Sequence, residues 1–275
     1  MAIHRQELLL PILRCPQCTK SRWNVGQELA CAGCGVVYNL VEGRPIFHGD
    51  SSISEVITGH VSHRPPPHFI EMMSSTKGLA LHLGAGSQPE VNDNVIEVDY
   101  RLYPSVDAAV DAHNLPFRDN TFELVIALNV FEHLYNPFKA AKEIHRILKP
   151  NGKVIIHTAF LQPLHEAPHH YYNATESGLR KWFENFEVEQ LAVSYNFHPG
   201  VTLSWITHDI MEIAEQHLSW NTVEKIRRTD LAYWRAVWED RSNDELGLLD
   251  EFGKLPQPEQ AKVALGFELI GKTVS

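Results

Sequence analysis

The chain has 275 residues, of which 44% are hydrophobic and 21% are charged, an ordinary composition for a soluble globular protein. The formal net charge of −10 disfavours nucleic acid as a partner, and no apolar run is long enough to cross a bilayer. The first residues do not resemble a signal peptide, because Glu7 and Pro11 interrupt a short leucine run, and we expect a cytoplasmic protein.

All four cysteines lie near the start of the chain, in two C-x-x-C pairs. Cys15 and Cys18 form the first pair, and Cys31 and Cys34 form the second, twelve residues further on. This spacing suits a tetrahedral zinc ion held by four thiolates, although two disulfides or four ordinary thiols are the alternatives. Four protein ligands leave no open position on the metal, so the predicted site is structural.

The segment around these cysteines resembles a small zinc-ribbon protein that activates methyltransferases of tRNA and translation factors. The likeness covers most of residues 8–47 and continues after Cys34 as GVVYNLVEGRPIF. The same ribbon is often fused ahead of bacterial methyltransferases. We therefore predict a zinc ribbon over residues 1–48, whose formal charge of +2 is too small to indicate RNA binding. Docking against the chain's own catalytic domain is its expected role.

A linker is predicted over residues 49–77, where serine, histidine and proline are frequent. The three prolines at 65–67 stiffen the chain and prevent a helix from running through them. We expect a short lead-in helix over residues 68–75 and a second domain over residues 78–275.

A glycine-rich turn of Gly84, Ala85 and Gly86 follows the first predicted strand of this domain, and Asp99 ends the second. Such a pair is how α/β proteins hold a ribose-bearing cofactor. A dinucleotide fingerprint would need a third glycine where Pro89 stands, so the pattern excludes a dinucleotide. The alternative is a tight turn with no ligand beside a solvated acid.

Strands and helices then alternate, which predicts a parallel sheet with helices on both faces. Asn136 and Pro137 begin the clearest helix, as N-cap and first residue. We expect an α/β fold with a seven-stranded, mostly parallel sheet, the last strand being antiparallel at the edge. The predicted strands cover residues 80–83, 95–99, 106–110, 124–128, 153–158, 188–195 and 264–271.

Three segments in this region resemble class I S-adenosylmethionine-dependent methyltransferases of the small-molecule type. They read DAHNLPFRDNTFELV from Asp111, NVFEH from Asn129, and EIHRILKPNG from Glu143. The resemblance spans residues 79 to about 190 and implies a Rossmann-like fold that binds S-adenosylmethionine (SAM).

The resemblance also implies roles for individual residues. The turn of Gly84–Gly86 would surround the methionine part of the cofactor, and Asp99 would bind the ribose hydroxyls. Asp111 would accept a hydrogen bond from the adenine amino group, and the backbone N–H of Ala112 would face the ring. The backbone of Asn129 would line the methionine end.

Two positions depart from the family's pattern. His82 stands where an acid usually lies near the cofactor's amino group, and Gln88 replaces the usual third glycine. The departures leave open which group neutralises that amino group.

Residues 164–172 form the densest polar and aromatic cluster of the chain. A methyl acceptor with a hydroxyl needs a base, and histidine titrates near neutral pH. His165 and His169 are the first candidates for this base, followed by His133, although most of the sixteen histidines must be surface or packing residues.

A helical insertion is predicted over residues 196–260, with helices near 210–218 and 223–237 and four tryptophans. It would cover the cofactor mouth and choose the acceptor, or else form a homodimer or cap the core. The sequence thus predicts a methyltransferase that acts on a small molecule, with a hydroxyl of a sugar or secondary metabolite as acceptor. The alternatives are an RNA or protein methyltransferase and a non-catalytic cofactor-binding partner.

Overall fold

The structure is a computed structural model that describes residues 2–50, 52–59, 64–87 and 93–269, with side chains from Arg5 onward. It contains two compact units, which we describe separately. The first comprises Met1–Phe160 and Tyr171–Gln190, and the second comprises Leu161–His170 and Leu191–Ser275. Among the described residues, none of the helices combines the length and the apolar character needed to cross a membrane.

The first unit begins with a small module, which we call the N-terminal module (residues 2–48). It contains one α-helix, a short 3-10 helix (Leu10–Ile12) and a four-stranded antiparallel sheet whose strands pair in chain order. Leu29 pairs with Tyr38 at the centre of this sheet, and the side chain of Leu29 is buried. The elements are α1 (Ala2–Leu9), β1 (Trp23–Val25), β2 (Glu28–Cys31), β3 (Val37–Val41) and β4 (Arg44–Pro45).

The N-terminal module packs against the sheet that follows it in the chain, in agreement with the expected docking. Leu9, Leu13 and Phe47 belong to the same buried cluster as the central strands of that sheet. The backbone N–H of Phe47 donates to the carbonyl of Ala109 (2.8 Å), next to a parallel bridge from Ile46 to the same alanine. The module therefore covers one edge of the sheet.

A five-stranded sheet forms the centre of the first unit, in the order β7-β6-β5-β8-β9, and all of its strand pairs are parallel. Every residue of the central strand β5 is buried, because helices cover both faces as predicted. Phe69 and Met73 of the lead-in helix pack on one face of the sheet, and Ile144 of the helix that begins after Asn136 packs on the other. The elements are α2 (Pro67–Ser75), β5 (Ala80–Leu83), β6 (Val95–Asp99), β7 (Ala108–Ala109), β8 (Phe122–Leu128), α3 (Pro137–Ile147), β9 (Leu148–His157) and α4 (Glu176–Trp182).

The prediction of seven strands is not confirmed, since this sheet has five in the described part of the chain. Residues 188–195 and 264–269 are irregular, and residues 270 and 271 lie outside the described residues. Val193 is 70% exposed and Leu265 is 93% exposed. Both segments have the apolar pattern of a strand, but a strand forms only where a neighbour supplies hydrogen bonds to its backbone.

The helix predicted after Asn136 is confirmed, with the Asn136 side chain accepting a hydrogen bond from the N–H of Lys139 (3.1 Å). The turn expected at residues 150–152 lies instead within β9. Phe122 pairs with Leu148 and Leu124 pairs with Lys153, so these three residues belong to a bulge in the strand.

The second unit is helical in its described residues. The helix expected over 223–237 is divided in two, because Asp230 leaves the helix and caps the next one by accepting from the N–H of Tyr233 (2.8 Å). The roles expected for this region, acceptor choice or dimer formation, stay predictions. Its helices are α5 (Pro199–His217), α6 (Trp220–Arg227), α7 (Leu231–Glu239), α8 (Leu248–Gly253) and α9 (Gln257–Val263).

Candidate functional site

The glycine turn lies directly after β5, at the carboxyl edge of the sheet. The N–H groups of Gly84 and Ala85 both donate to the carbonyl of Val98, at 2.8 and 3.0 Å. Gly84 has φ of 71°, and a Cβ atom at this position would lie 2.3 Å from Cγ2 of Val130. A side chain therefore does not fit here, and the turn after β5 touches the turn after β8.

Asp99, the acid predicted to hold a ribose, ends β6 beside this turn. Its Oδ2 accepts a hydrogen bond from the N–H of Gly86 (2.9 Å), and its Oδ1 accepts from the N–H of Arg101 (3.1 Å). Burial raises the pKa of Asp99 above its ordinary value, against the lowering effect of these N–H groups. The carboxylate is thus held in a fixed position at the edge where a cofactor would bind.

Asp111 belongs to a hydrogen-bonded chain that the sequence did not reveal. Its Oδ1 accepts from the N–H (2.9 Å) and from Nδ1 (2.6 Å) of His113. The N–H of Asn136 donates to Nε2 of the same ring (3.2 Å), which leaves the ring proton on Nδ1. Burial acts to raise the pKa of Asp111, but the bonds from His113 bring it below its ordinary value. Asp111 is therefore oriented and ionised.

The remaining cofactor candidates lie in the same unit. Asn129 follows β8 with φ of 55°, a left-handed conformation that asparagine tolerates, and its N–H donates to the carbonyl of His157 (3.0 Å). Ala112 is buried next to Asp111. Gln88 and Pro89 lie outside the described residues.

The structure gives His82 a partner within the sheet. His82 pairs in register with Glu97 of the neighbouring strand, and both side chains are buried. Nδ1 of His82 lies 3.8 Å from Oε1 of Glu97. The histidine therefore packs against an acid between β5 and β6.

Glu132 belongs to the NVFEH segment that carries the resemblance, which implies a place for it at the mouth of the site but no role of its own. It lies in a single turn of 3-10 helix, Phe131–His133, just after β8, and it is completely buried. Its Oε2 accepts a hydrogen bond from Oγ1 of Thr158 (3.0 Å), while Oε1 has no partner among the described residues. Burial raises the pKa of Glu132 to about 7. In the sequence, the only sign that this acid is buried is its place directly after the apolar residues 130 and 131.

The raised pKa predicts how stability depends on pH. Between about pH 4.5 and 7 the folded protein keeps the Glu132 proton while the unfolded chain loses it, so the free energy of unfolding should fall as pH rises through this window. The shift corresponds to roughly 3 kcal/mol. Glu132→Gln, which does not titrate, should gain that amount relative to the wild type between pH 4.5 and pH 8. Urea unfolding at both pH values measures it, with the exposed Glu55→Gln as control. A difference between Glu132→Gln and wild type that stays constant with pH would contradict the prediction.

The three candidate bases are distributed over the two units. In the first unit, His133 is half-buried, and its N–H donates to the carbonyl of Val130 (3.0 Å). In the second, Nδ1 of His165 lies 3.0 Å from the carbonyl of Pro163, and His169 is exposed. Their catalytic roles stay predictions.

The four cysteines come together in the N-terminal module. Their sulfur atoms all lie within 4.8 Å of one another. Sγ of Cys15 lies 3.7 Å from Sγ of Cys34, and Sγ of Cys18 lies 3.5 Å from Sγ of Cys31. Four thiolates at about 2.3 Å from a tetrahedral zinc ion would be about 3.8 Å apart. The geometry therefore fits the donor set that a structural zinc ion requires.

Known proteins are similar to this chain in the segment that contains Asp99, Asp111 and Glu132. Residues 85–156 match the family described as "Methyltransferase domain". The uncharacterized protein YafE of Escherichia coli is 42% identical over 117 residues, which cover 42% of this chain and 45% of that protein. Demethylmenaquinone methyltransferase of Staphylococcus epidermidis is 34% identical over 86 residues, which cover 28% and 36%. The chain thus spans less than half the length of these curated relatives.

Among solved structures, the chain is similar to phosphoethanolamine N-methyltransferase 2 of Haemonchus contortus in complex with SAM. The match is 16% identical, covers 67% of this chain and 49% of that one, and has a TM-score of 0.38, too low to support an argument about function. The family match supports the predicted domain in its coarse form: residues 85–156 are similar to a methyltransferase domain.

Proposed function

We propose that this protein transfers the methyl group of SAM to a small-molecule acceptor, a hydroxyl of a sugar or secondary metabolite. The observation that supports this most is the placement of the glycine turn, Asp99 and Asp111 in one unit, each just after or at the end of a parallel strand. Ligands of open α/β sheets bind beyond these strand ends.

Each residue of the site has a defined task in this proposal. Bound SAM supplies a methyl carbon made electrophilic by its sulfonium sulfur. The turn at Gly84 lets the backbone approach the methionine part, Asp99 accepts hydrogen bonds from the ribose, and Asp111 accepts one from the adenine amino group. A histidine, among His133, His165 and His169, takes the proton of the acceptor hydroxyl as oxygen attacks the methyl carbon.

Two observations favour a small acceptor over RNA or protein. The formal charge of −10 opposes RNA binding. One relative is named for demethylmenaquinone, a small molecule. A non-catalytic cofactor-binding protein is the remaining alternative, and a protein that binds SAM without ever transferring its methyl group would support it.

We also propose that Cys15, Cys18, Cys31 and Cys34 bind one structural zinc ion. The distances between their sulfur atoms support this, and the absence of an open ligand position gives the ion no part in methyl transfer.

Cofactor binding tests the proposal directly. We expect the wild type to bind SAM and its demethylated product, S-adenosylhomocysteine, in a calorimetric titration. Asp99→Ala should weaken binding of both by about 1–3 kcal/mol because the ribose loses a charged acceptor. The exposed Asp250→Ala serves as control and should leave affinity unchanged. If the wild type binds neither compound, the enzyme proposal is wrong; if Asp99→Ala binds both normally, the ribose role is wrong.

A further inference from the structure

We infer that Glu132 supplies the carboxylate that binds the α-ammonium group of SAM, and that it is therefore a further cofactor-binding residue. The inference rests on the proposed function and names a contact that the cofactor's amino-acid part would make.

The position of Glu132 is the first argument. The 3-10 turn that carries Glu132 begins at Phe131, three residues after the end of β8, and β8 pairs with β5. Val130 lies so close to Gly84 that no Cβ would fit between them. Glu132 thus lies two residues from a direct contact with the turn that surrounds the methionine part of the cofactor in the proposed function.

The environment of the carboxyl group is the second argument. Glu132 is fully buried, and Oε1 has no hydrogen-bond partner among the described residues. The hydrogen-bond partners of the residue are uncharged: Thr158 donates its hydroxyl to Oε2, and Tyr171 donates its backbone N–H to the Glu132 carbonyl (2.7 Å). A ring nitrogen of His133 lies within 4.8 Å of a carboxylate oxygen of Glu132. A buried carboxylate oxygen that accepts no hydrogen bond is unfavourable, so a positively charged ligand with N–H donors would stabilise this group.

SAM carries two cationic groups, an ammonium and a sulfonium, and the hydrogen-bonding capacity of Glu132 Oε1 distinguishes between them. Oε1 lacks a hydrogen-bond donor, and an ammonium group offers three N–H donors to a carboxylate. The sulfonium sulfur has no hydrogen to donate. The ammonium group satisfies both the charge and the hydrogen-bonding capacity of Glu132.

A second buried acid, Glu97, is the competing candidate. Oε2 of Glu97 also has no partner among the described residues, but Oε1 lies 3.8 Å from the His82 ring. Glu97 lies within β6 rather than beyond the end of a strand, whereas cofactors bind beyond the strand ends. Glu132 is therefore the acid placed to reach the cofactor.

A series of three ligands tests the assignment by calorimetry and competition. SAM and S-adenosylhomocysteine both carry the ammonium group, and 5′-methylthioadenosine lacks the whole amino-acid part. We expect Glu132→Gln to bind the first two roughly 10- to 100-fold more weakly and to bind methylthioadenosine as the wild type does. Normal binding of methylthioadenosine also shows that the variant is folded. Glu55→Gln, an exposed carboxyl of the same unit, is the matched control.

The other outcomes overturn the inference in distinguishable ways. Equal weakening for all three ligands would mean that Glu132 only maintains the fold. Weakening for SAM alone would mean that it faces the sulfonium, and unchanged affinity would mean that it does not touch the cofactor. If the wild type binds none of the three, the proposed function itself is wrong and the inference fails with it.

Discussion

Cys31→Ser is expected to remove zinc from the protein and to unfold the N-terminal module. Each wild-type chain should carry one zinc ion, because four sulfur atoms already lie within 4.8 Å of one another. A structural zinc ion of this kind contributes roughly 10–16 kcal/mol of binding free energy, which is coupled to folding. A module of this size cannot replace that contribution with its own hydrophobic core.

The loss of folded structure should extend beyond the N-terminal module. Phe47 belongs to the same buried cluster as the parallel sheet and bonds to Ala109 at its edge, so an unfolded module would uncover β7. Metal analysis together with limited proteolysis measures both effects. Gln17→Ala is the control, since this exposed residue lies between the cysteines of the first pair. A metal-free wild-type protein whose first 48 residues resist proteolysis would contradict the zinc proposal.

Arg5→Ala is the second substitution from which we expect a large effect, a loss of roughly 3–5 kcal/mol in the free energy of unfolding. Nε of Arg5 donates to Oδ1 of Asp107 (2.7 Å), and Nη2 donates to Oδ2 (2.6 Å). The Asp107 side chain is only 3% exposed, and its Oδ2 also accepts from the N–H of Glu97 (2.9 Å). Removing the guanidinium leaves a buried carboxylate without its cation.

Urea unfolding of three variants distinguishes this loss from the removal of any arginine. Arg180→Ala breaks an exposed pair with Glu176 within α4 and should cost roughly 0.5 kcal/mol or less. The double variant Arg5→Ala/Asp107→Ala should be more stable than the sum of the two single losses implies, because no buried charge is left unpaired. Equal losses for Arg5→Ala and Arg180→Ala would show that the Asp107 pair contributes little.

The features that the sequence predicted correctly depend on neighbours within a few residues. The cap of α3 needs only Asn136 and the N–H three residues later. The turn at Gly84 needs a residue type that tolerates positive φ, and Asp99 ends a strand whose apolar run can be read directly. The domain class followed because several such short signals occur in order.

Other features depend on residues that are far apart in the chain, and only the tertiary structure decided them. The pair of Arg5 and Asp107 joins positions 102 residues apart. Glu132 is an acid after two apolar residues in the sequence, and its burial and the partner Thr158 appear only when the ends of β8 and β9 lie side by side.

The difference between the two groups of features is physical. Caps, turns and amphipathic periods are set by local hydrogen bonds and sterics, which the residues themselves determine. A strand needs a partner, and a buried charge needs a cation, wherever in the chain these lie. For this reason the sequence alone determined the cysteine pairs, the glycine turn and the class of domain. The tertiary structure decided that residues 188–195 form no strand and that Glu132 is a buried acid two residues from Val130, which contacts the glycine turn.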